Sequence, residues 1–186
     1  MKRSTFITMT VAAVSLPARE FATIPNLFQK AKPFKTKAGE GHLYGHLKLR
    51  GINQNILDNK VSGTDTGGGL AIFEQTSLSP GKGVPTHVHF FQDEVFFILQ
   101  GHFIFQVAGE KYDLVKGDSI FLPKNIPHAW KQLSEEGKMV VIFQPAGKME
   151  MFFKNIADLD HDPSPAEMEA LFLDHEMKVV GPPISS

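Results

Sequence analysis

Gly81-Lys82-Gly83-Val84-Pro85-Thr86-His87-Val88-His89-Phe90-Phe91-Gln92-Asp93-Glu94-Val95-Phe96-Phe97-Ile98-Leu99-Gln100-Gly101 decides how this chain is read. Side chains alternate faces along a strand, so His87 and His89 share one wall, whereas on a helix the pair would diverge by roughly 200°. Glu94 opens an apolar run, Val95 to Leu99, and Gln100-Gly101 is predicted to form a two-residue hairpin turn into His102-Phe103-Ile104-Phe105-Gln106-Val107. With Leu99 opposite His102, Ile98 meets Phe103, Phe96 meets Phe105 and Glu94 meets Val107. Glu94 is then the one charged group on an apolar face. Burying that carboxylate without a cation would cost several kcal/mol, and two imidazoles beside it are the usual donors for a divalent first-row metal.

Downstream, Gly109-Glu110-Lys111 reads as a turn. Gly117 to His128 then gives a turn, a short strand, a bend set by Pro123 and Pro127, and a histidine entering a new strand. His128 is the fourth candidate ligand, and Trp130 shares its face. His102 falls on the face opposite Glu94 and reads as an exterior histidine.

These residues resemble a known family. Gly81-x5-His87-x-His89-x4-Glu94-x6-Gly101 resembles the first cupin motif, and Gly117-x5-Pro123-x-Asn125-x2-His128-x3-Gln132 resembles the second. Asn125 stands where glycine is usual, a substitution compatible with left-handed backbone, and Gln132 stands where a non-ligand asparagine is usual. The resemblance implies a mainly β fold, a jelly-roll-like cupin β-barrel, with one metal held by His87, His89, Glu94 and His128. The glycine segment at Thr66-Gly67-Gly68 and the tail Val179-Val180-Gly181-Pro182-Pro183 further resemble bacterial single-domain cupins described as quercetin dioxygenase-like.

With 186 residues, 42% of them hydrophobic, the chain suits one domain with a real core. A formal net charge of -1 points to no nucleic-acid partner, and the absence of cysteine excludes disulfides, thiolate ligands and a cysteine nucleophile. Met1-Lys2-Arg3 followed by Phe6 to Leu16 and Leu16-Pro17-Ala18 has the form of a signal peptide over 1–18, which would place the protein in the periplasm. The alternative is an N-terminal arm on a neighbouring subunit in a cytoplasmic protein. The stretch is too short to span a bilayer.

Residues 19–40, lysine-rich and broken by Pro25 and Pro33, read as an arm, and 41–146 as the barrel. His42 to Leu49 alternates as a strand with Leu43, Leu47 and Leu49 inward and His42, Tyr44, His46 and Lys48 to solvent. Ser62 to Gly69 is a turn with no Gly-Lys-Ser/Thr sequence after it, so it is no phosphate loop. Lys138 to Phe143 is the last barrel strand. Residues 147–186 form a helical tail of two short helices: Met149, Phe152, Phe153 and Ile156 make one apolar face, and Ser164-Pro165-Ala166-Glu167 caps a second bearing Met168, Leu171 and Phe172. They either pack outside the barrel or shield its bowl.

Phe96, Phe103, Phe105 and Trp130 are candidate substrate-pocket residues, with core filling as the alternative. The three arginines, Arg3, Arg19 and Arg50, lie outside both motifs, so a bidentate anion clamp is missing. The donor set suits iron, manganese, nickel, cobalt or zinc. The expected function is dioxygenation of a small aromatic or enol-type substrate, with Glu94 as catalytic base. Non-oxidative isomerisation or decarboxylation, and a binding protein with a structural metal, remain open. The resemblance also implies a homodimer, covering the outer face of Val95, Phe97, Leu99 and Ile104.

Overall fold

The computed structural model describes residues 32–51 and 54–185. The signal-peptide stretch and most of the predicted 19–40 arm lie outside the described residues.

Two antiparallel sheets pack face to face. One contains Leu47–Lys48 (β1), Ile56–Val61 (β2), Ala71–Ser77 (β3), Asp93–Gln100 (β5), Ser119–Leu122 (β8) and Gly137–Gln144 (β10), in the order β1-β2-β3-β10-β5-β8. The other contains Pro85–His89 (β4), His102–Val107 (β6), Glu110–Val115 (β7), His128–Gln132 (β9) and Met177–Pro183 (β11), in the order β11-β4-β9-β6-β7. Among the described residues the sheets do not hydrogen-bond edge to edge, so the expected barrel is an open jelly-roll sandwich.

Period 2 assigns the core. Ala71, Phe73, Phe96, Ile98, Met139, Val141 and Phe143 are buried from the first sheet, and Phe103, Phe105 and Trp130 from the second. At about 25 cal/mol per Å² of apolar surface, each such fully buried aromatic or aliphatic side chain stabilises the fold by roughly 1.5–3 kcal/mol.

The predicted β5–β6 hairpin does not form. β5 pairs with β10 and β8, while β6 pairs with β9 and β7. Gly101, at φ 90, carries the chain from one sheet to the other, and a Cβ there would meet Glu136 O at 2.5 Å. The inward and outward assignment survives because alternation along a strand is independent of its partner. Phe96 and Phe105, expected as ladder neighbours, instead meet across the sandwich with ring centroids 5.0 Å apart.

The strand expected over His42 to Leu49 is reduced to β1, because Tyr44 and Gly45 both adopt positive φ, 63 and 60. Leu47 is still buried, and His42, Tyr44, His46 and Lys48 are exposed. The tail is not helical throughout. Met149–Ala157 (α1) and Pro165–Asp174 (α2) form as predicted, the latter with a complete capping box between Ser164 and Glu167, but β11 follows and pairs with β4.

Candidate metal centre

His87 and His89 come from β4 and His128 from the start of β9, where His87 and His128 are direct cross-strand partners. Glu94 comes from β5 in the opposite sheet. Asn125, at φ 62, shapes the bend before His128 and donates its N–H to His89 O at 2.8 Å, so the loop that delivers the third histidine is tied to the strand that carries the first two.

The candidate donor atoms of the four residues lie within 4.8 Å of one another. All four side chains are buried, at 6, 1, 5 and 1% exposure for His87, His89, Glu94 and His128. His87 Nδ1 donates to Pro85 O at 2.8 Å and His128 Nδ1 to Ile126 O at 2.9 Å, which leaves each Nε2 as a lone pair aimed inward. Glu94 Oε2 lies 3.2 Å from His128 Nε2 and 3.8 Å from His89 Nε2.

His128 Nε2 and Glu94 Oε2 are thus two electron-pair donors facing each other in a buried setting, and the nitrogen has no hydrogen-bond partner. Such a pair calls for a cation between its members. Burial pushes the His87 imidazole well below its ordinary pKa, with the neighbouring His128 and His89 adding to the shift and the Pro85 carbonyl opposing it. Burial also lowers His89, although Glu94 pulls the other way. Neutral imidazoles and one carboxylate are the form in which these side chains ligate a metal, so a divalent first-row ion fits the set.

The matched family model is the cupin domain, over residues 75–144, and this span holds all four donors. The chain belongs to the cupin superfamily. This cupin is 29% identical over 117 residues to quercetin 2,3-dioxygenase of Bacillus subtilis, covering 62% of this chain and 32% of that protein. It therefore spans about a third of that relative's length. It is 36% identical over 103 residues to an uncharacterised protein of Methanocaldococcus jannaschii, covering 54% of this chain and 69% of that one. A solved structure of a predicted oxalate decarboxylase from Thermotoga maritima superposes with a TM-score of 0.53 at 14% identity, over 61% of this chain and 99% of that chain, a likeness of fold.

The four candidate pocket aromatics of the cupin are all buried. Phe96 packs on Phe105, and Phe103 packs on Trp130 at 6.0 Å. Two rings that the sequence did not single out for this role lie against the ligand histidines. Phe143, opposite Glu94 in the β10–β5 ladder, lies 5.7 Å from His89, and Phe172 of α2 lies 5.2 Å from His87. Phe172 in turn packs edge-on against Phe152 of α1 at 5.0 Å. α2 thus packs against His87, with α1 behind it. His102 faces outward and binds Asp113 at 2.8 Å. Among the described residues no helix is long and apolar enough to cross a membrane.

A cavity of ≈ 850 Å³ opens between α2 and β11, lined among others by Gly83, Pro85, Met168, Glu169 and Val179, but none of the four donors borders it. A void of ≈ 40 Å³ bounded by Val84, Phe152, Met168 and Phe172 lies under the helices.

Proposed function

We propose that this cupin is a metal-dependent dioxygenase acting on a small aromatic or enol-type compound. The observation that carries the proposal is the pairing of a buried carboxylate, Glu94 Oε2, with two histidine nitrogens at 3.2 and 3.8 Å inside a shell of phenylalanines. A divalent metal bound by His87, His89, Glu94 and His128 would supply Lewis acidity toward a substrate oxygen and the redox chemistry that brings dioxygen into reaction.

The chain's own residues do the rest. Phe143 and Phe172 favour an apolar, flat substrate body and exclude water from the reacting atoms. Glu94, with one oxygen committed to the histidine side, accepts the substrate hydroxyl proton on the other and holds it while the ring or enol is oxidised. The donors lie beneath α2, so substrate access requires the Phe172 end of that helix to move. The distant quercetin dioxygenase relative supports this reading.

The closed site favours a second reading, in which the metal is structural and the protein only binds. Oxygen consumption separates the two. Metal-loaded protein should consume dioxygen with phenolic or enolic substrates, and the metal-free protein should not. Turnover that continues unchanged under anaerobic conditions would instead establish non-oxidative chemistry, and failure of every metal to give turnover would favour the binding reading.

The half-exposed outer side chains Phe97, Leu99 and Phe121 on the first sheet support a homodimer, which would cover them.

A further inference from the structure

The cavity of ≈ 850 Å³ between α2 and β11 borders none of the four donors, yet it is built from the neighbours of one of them. Side chains two apart on a strand share a face, and so do direct cross-strand partners. Pro85 stands two residues before His87 on β4, and Val179 of β11 lies directly opposite His87 in the ladder. Both line the cavity. Its strand wall is therefore continuous with the face that carries His87.

The opposite wall is α2. Met168 is 6% exposed and lines the cavity, while Phe172, one helical turn on, is 3% exposed and packs edge-on against His87 at 5.2 Å. Residues at i and i+4 lie one above the other on a helix, so the two side chains follow each other from the cavity toward the imidazole. Both also bound the void of ≈ 40 Å³ beneath the helices. Cavity, Met168, void, Phe172 and His87 thus form one line into the site. The void has room for little more than water, so a ring passes only when the two side chains turn aside. Methionine suits that position, because an unbranched chain with three rotatable bonds fills a gap and vacates it at low cost.

The lining selects a class of ligand. Lys82 and, at the void, Arg50 stand against Asp162 and Glu169, so the charges balance and no cluster of one sign forms to hold a phosphate or carboxylate. The other cavity residues are proline, valine, methionine, isoleucine and glycine. Space of this size suits a molecule of two or more fused rings better than a single ring.

We propose that this cavity is the antechamber of the metal centre: it receives an uncharged, flat, apolar molecule of two or more fused rings, and Met168 and Phe172 are successive gates between that molecule and His87. This rests on the metal reading of the four donors and narrows the substrate class of the proposed function.

The experiment uses the full chain without metal and 2-naphthol, an uncharged two-ring probe. Titration should shift the methyl resonances of Met168 and Val179, and 2-naphthoate, which adds a carboxylate that the cavity must desolvate, should bind roughly 10-fold more weakly. Val180→Trp, a change at a half-exposed position of the cavity wall, sets a large ring in the space and should abolish the shifts. At saturation the Phe172 ring and the His87 imidazole should respond as well. Met168→Phe, which puts a stiff ring in place of the flexible chain, should suppress those two responses while Val179 still moves.

Wild-type Met168 and Val179 signals that stay fixed overturn the antechamber, and that measurement requires no variant to fold. Tighter binding of 2-naphthoate than of 2-naphthol overturns the ligand class. Phe172 and His87 responses that are missing from wild type, or undiminished in Met168→Phe, overturn the gate. Absence of Zn²⁺ binding by the wild type overturns the metal reading itself, and it is distinguishable because every 2-naphthol measurement is made without metal.

Discussion

His87 and His128 stand directly opposite each other on neighbouring antiparallel strands, with ring centroids 4.5 Å apart, while Glu94 reaches them from the other sheet. A bound metal therefore ties the two layers of the sandwich together, three ligands on one side and one on the other. Zn²⁺ at about 100 times its dissociation constant should stabilise the native protein by about 2.7 kcal/mol, read as a rise in melting temperature. Glu94→Ala, which removes the only donor that the first sheet contributes to the cluster, should abolish most of that rise. An undiminished rise would mean that the ion binds elsewhere.

Metal content should discriminate among histidines. His89→Ala or His128→Ala should remove most of the bound metal, measured by elemental analysis after reconstitution and desalting. His102→Ala should retain it, because that ring faces outward to Asp113. Equal losses in the three variants would contradict the four-residue assignment.

Glu94→Gln keeps the size and one donor oxygen but removes basicity. If the carboxylate takes the substrate proton, the metal-loaded variant should lose roughly 10²- to 10⁴-fold in turnover while still binding substrate. A fully loaded variant with near-normal turnover would remove Glu94 from the proton-transfer role.

Phe172→Ala should cost roughly 3–5 kcal/mol of stability, the range for deleting a buried aromatic ring, and should uncover His87. Denaturant melts check the first effect. The second should appear as faster loss of bound Zn²⁺ to a chelator, and an unchanged loss rate would show that α2 does not gate the site.

The α2 capping box makes an acid-side prediction. Hydrogen bonds from the Ser164 backbone and side chain, with His161 adding to them, hold the Glu167 carboxyl at about 2, below its ordinary 4.5. A depressed carboxylate pKa means that the unfolded chain binds the proton more tightly, so this contribution is complete above about 4.5 and is lost as the pH falls toward 2. Thermal melts of wild type and Glu167→Gln should differ most above that window and converge below it.

The metal cluster was legible in sequence because each of its signals is local. His-x-His on a strand shares a face whatever the strand's partner, and a lone carboxylate opening an apolar run must be compensated. Strand partnership was not legible: Ile98 and Phe103 alternate identically whether β5 and β6 pair with each other or with β10 and β9. β7 escaped notice because it is an edge strand exposed at every position but Leu114. β11 was hidden by Gly181, Pro182 and Pro183, which carry no strand signal and left 147–186 assigned as a helical tail, yet an edge strand tolerates residues that donate no ladder hydrogen bond. The contact of Phe172 with His87 depends on where α2 docks, and helical periodicity identifies the apolar face without its target.

The pairing of β11 with β4 sets an order of events. Met177 and Val179 lie opposite His89 and His87, so the strand carrying two ligands gains its outer neighbour only after the ribosome has passed residue 183. Until then all four donors are already synthesised on a nascent chain whose ligand strand has a bare edge. An ion bound by His87 and His89 would therefore sit on a strand whose outer edge is closed by the last element of the described chain to be made.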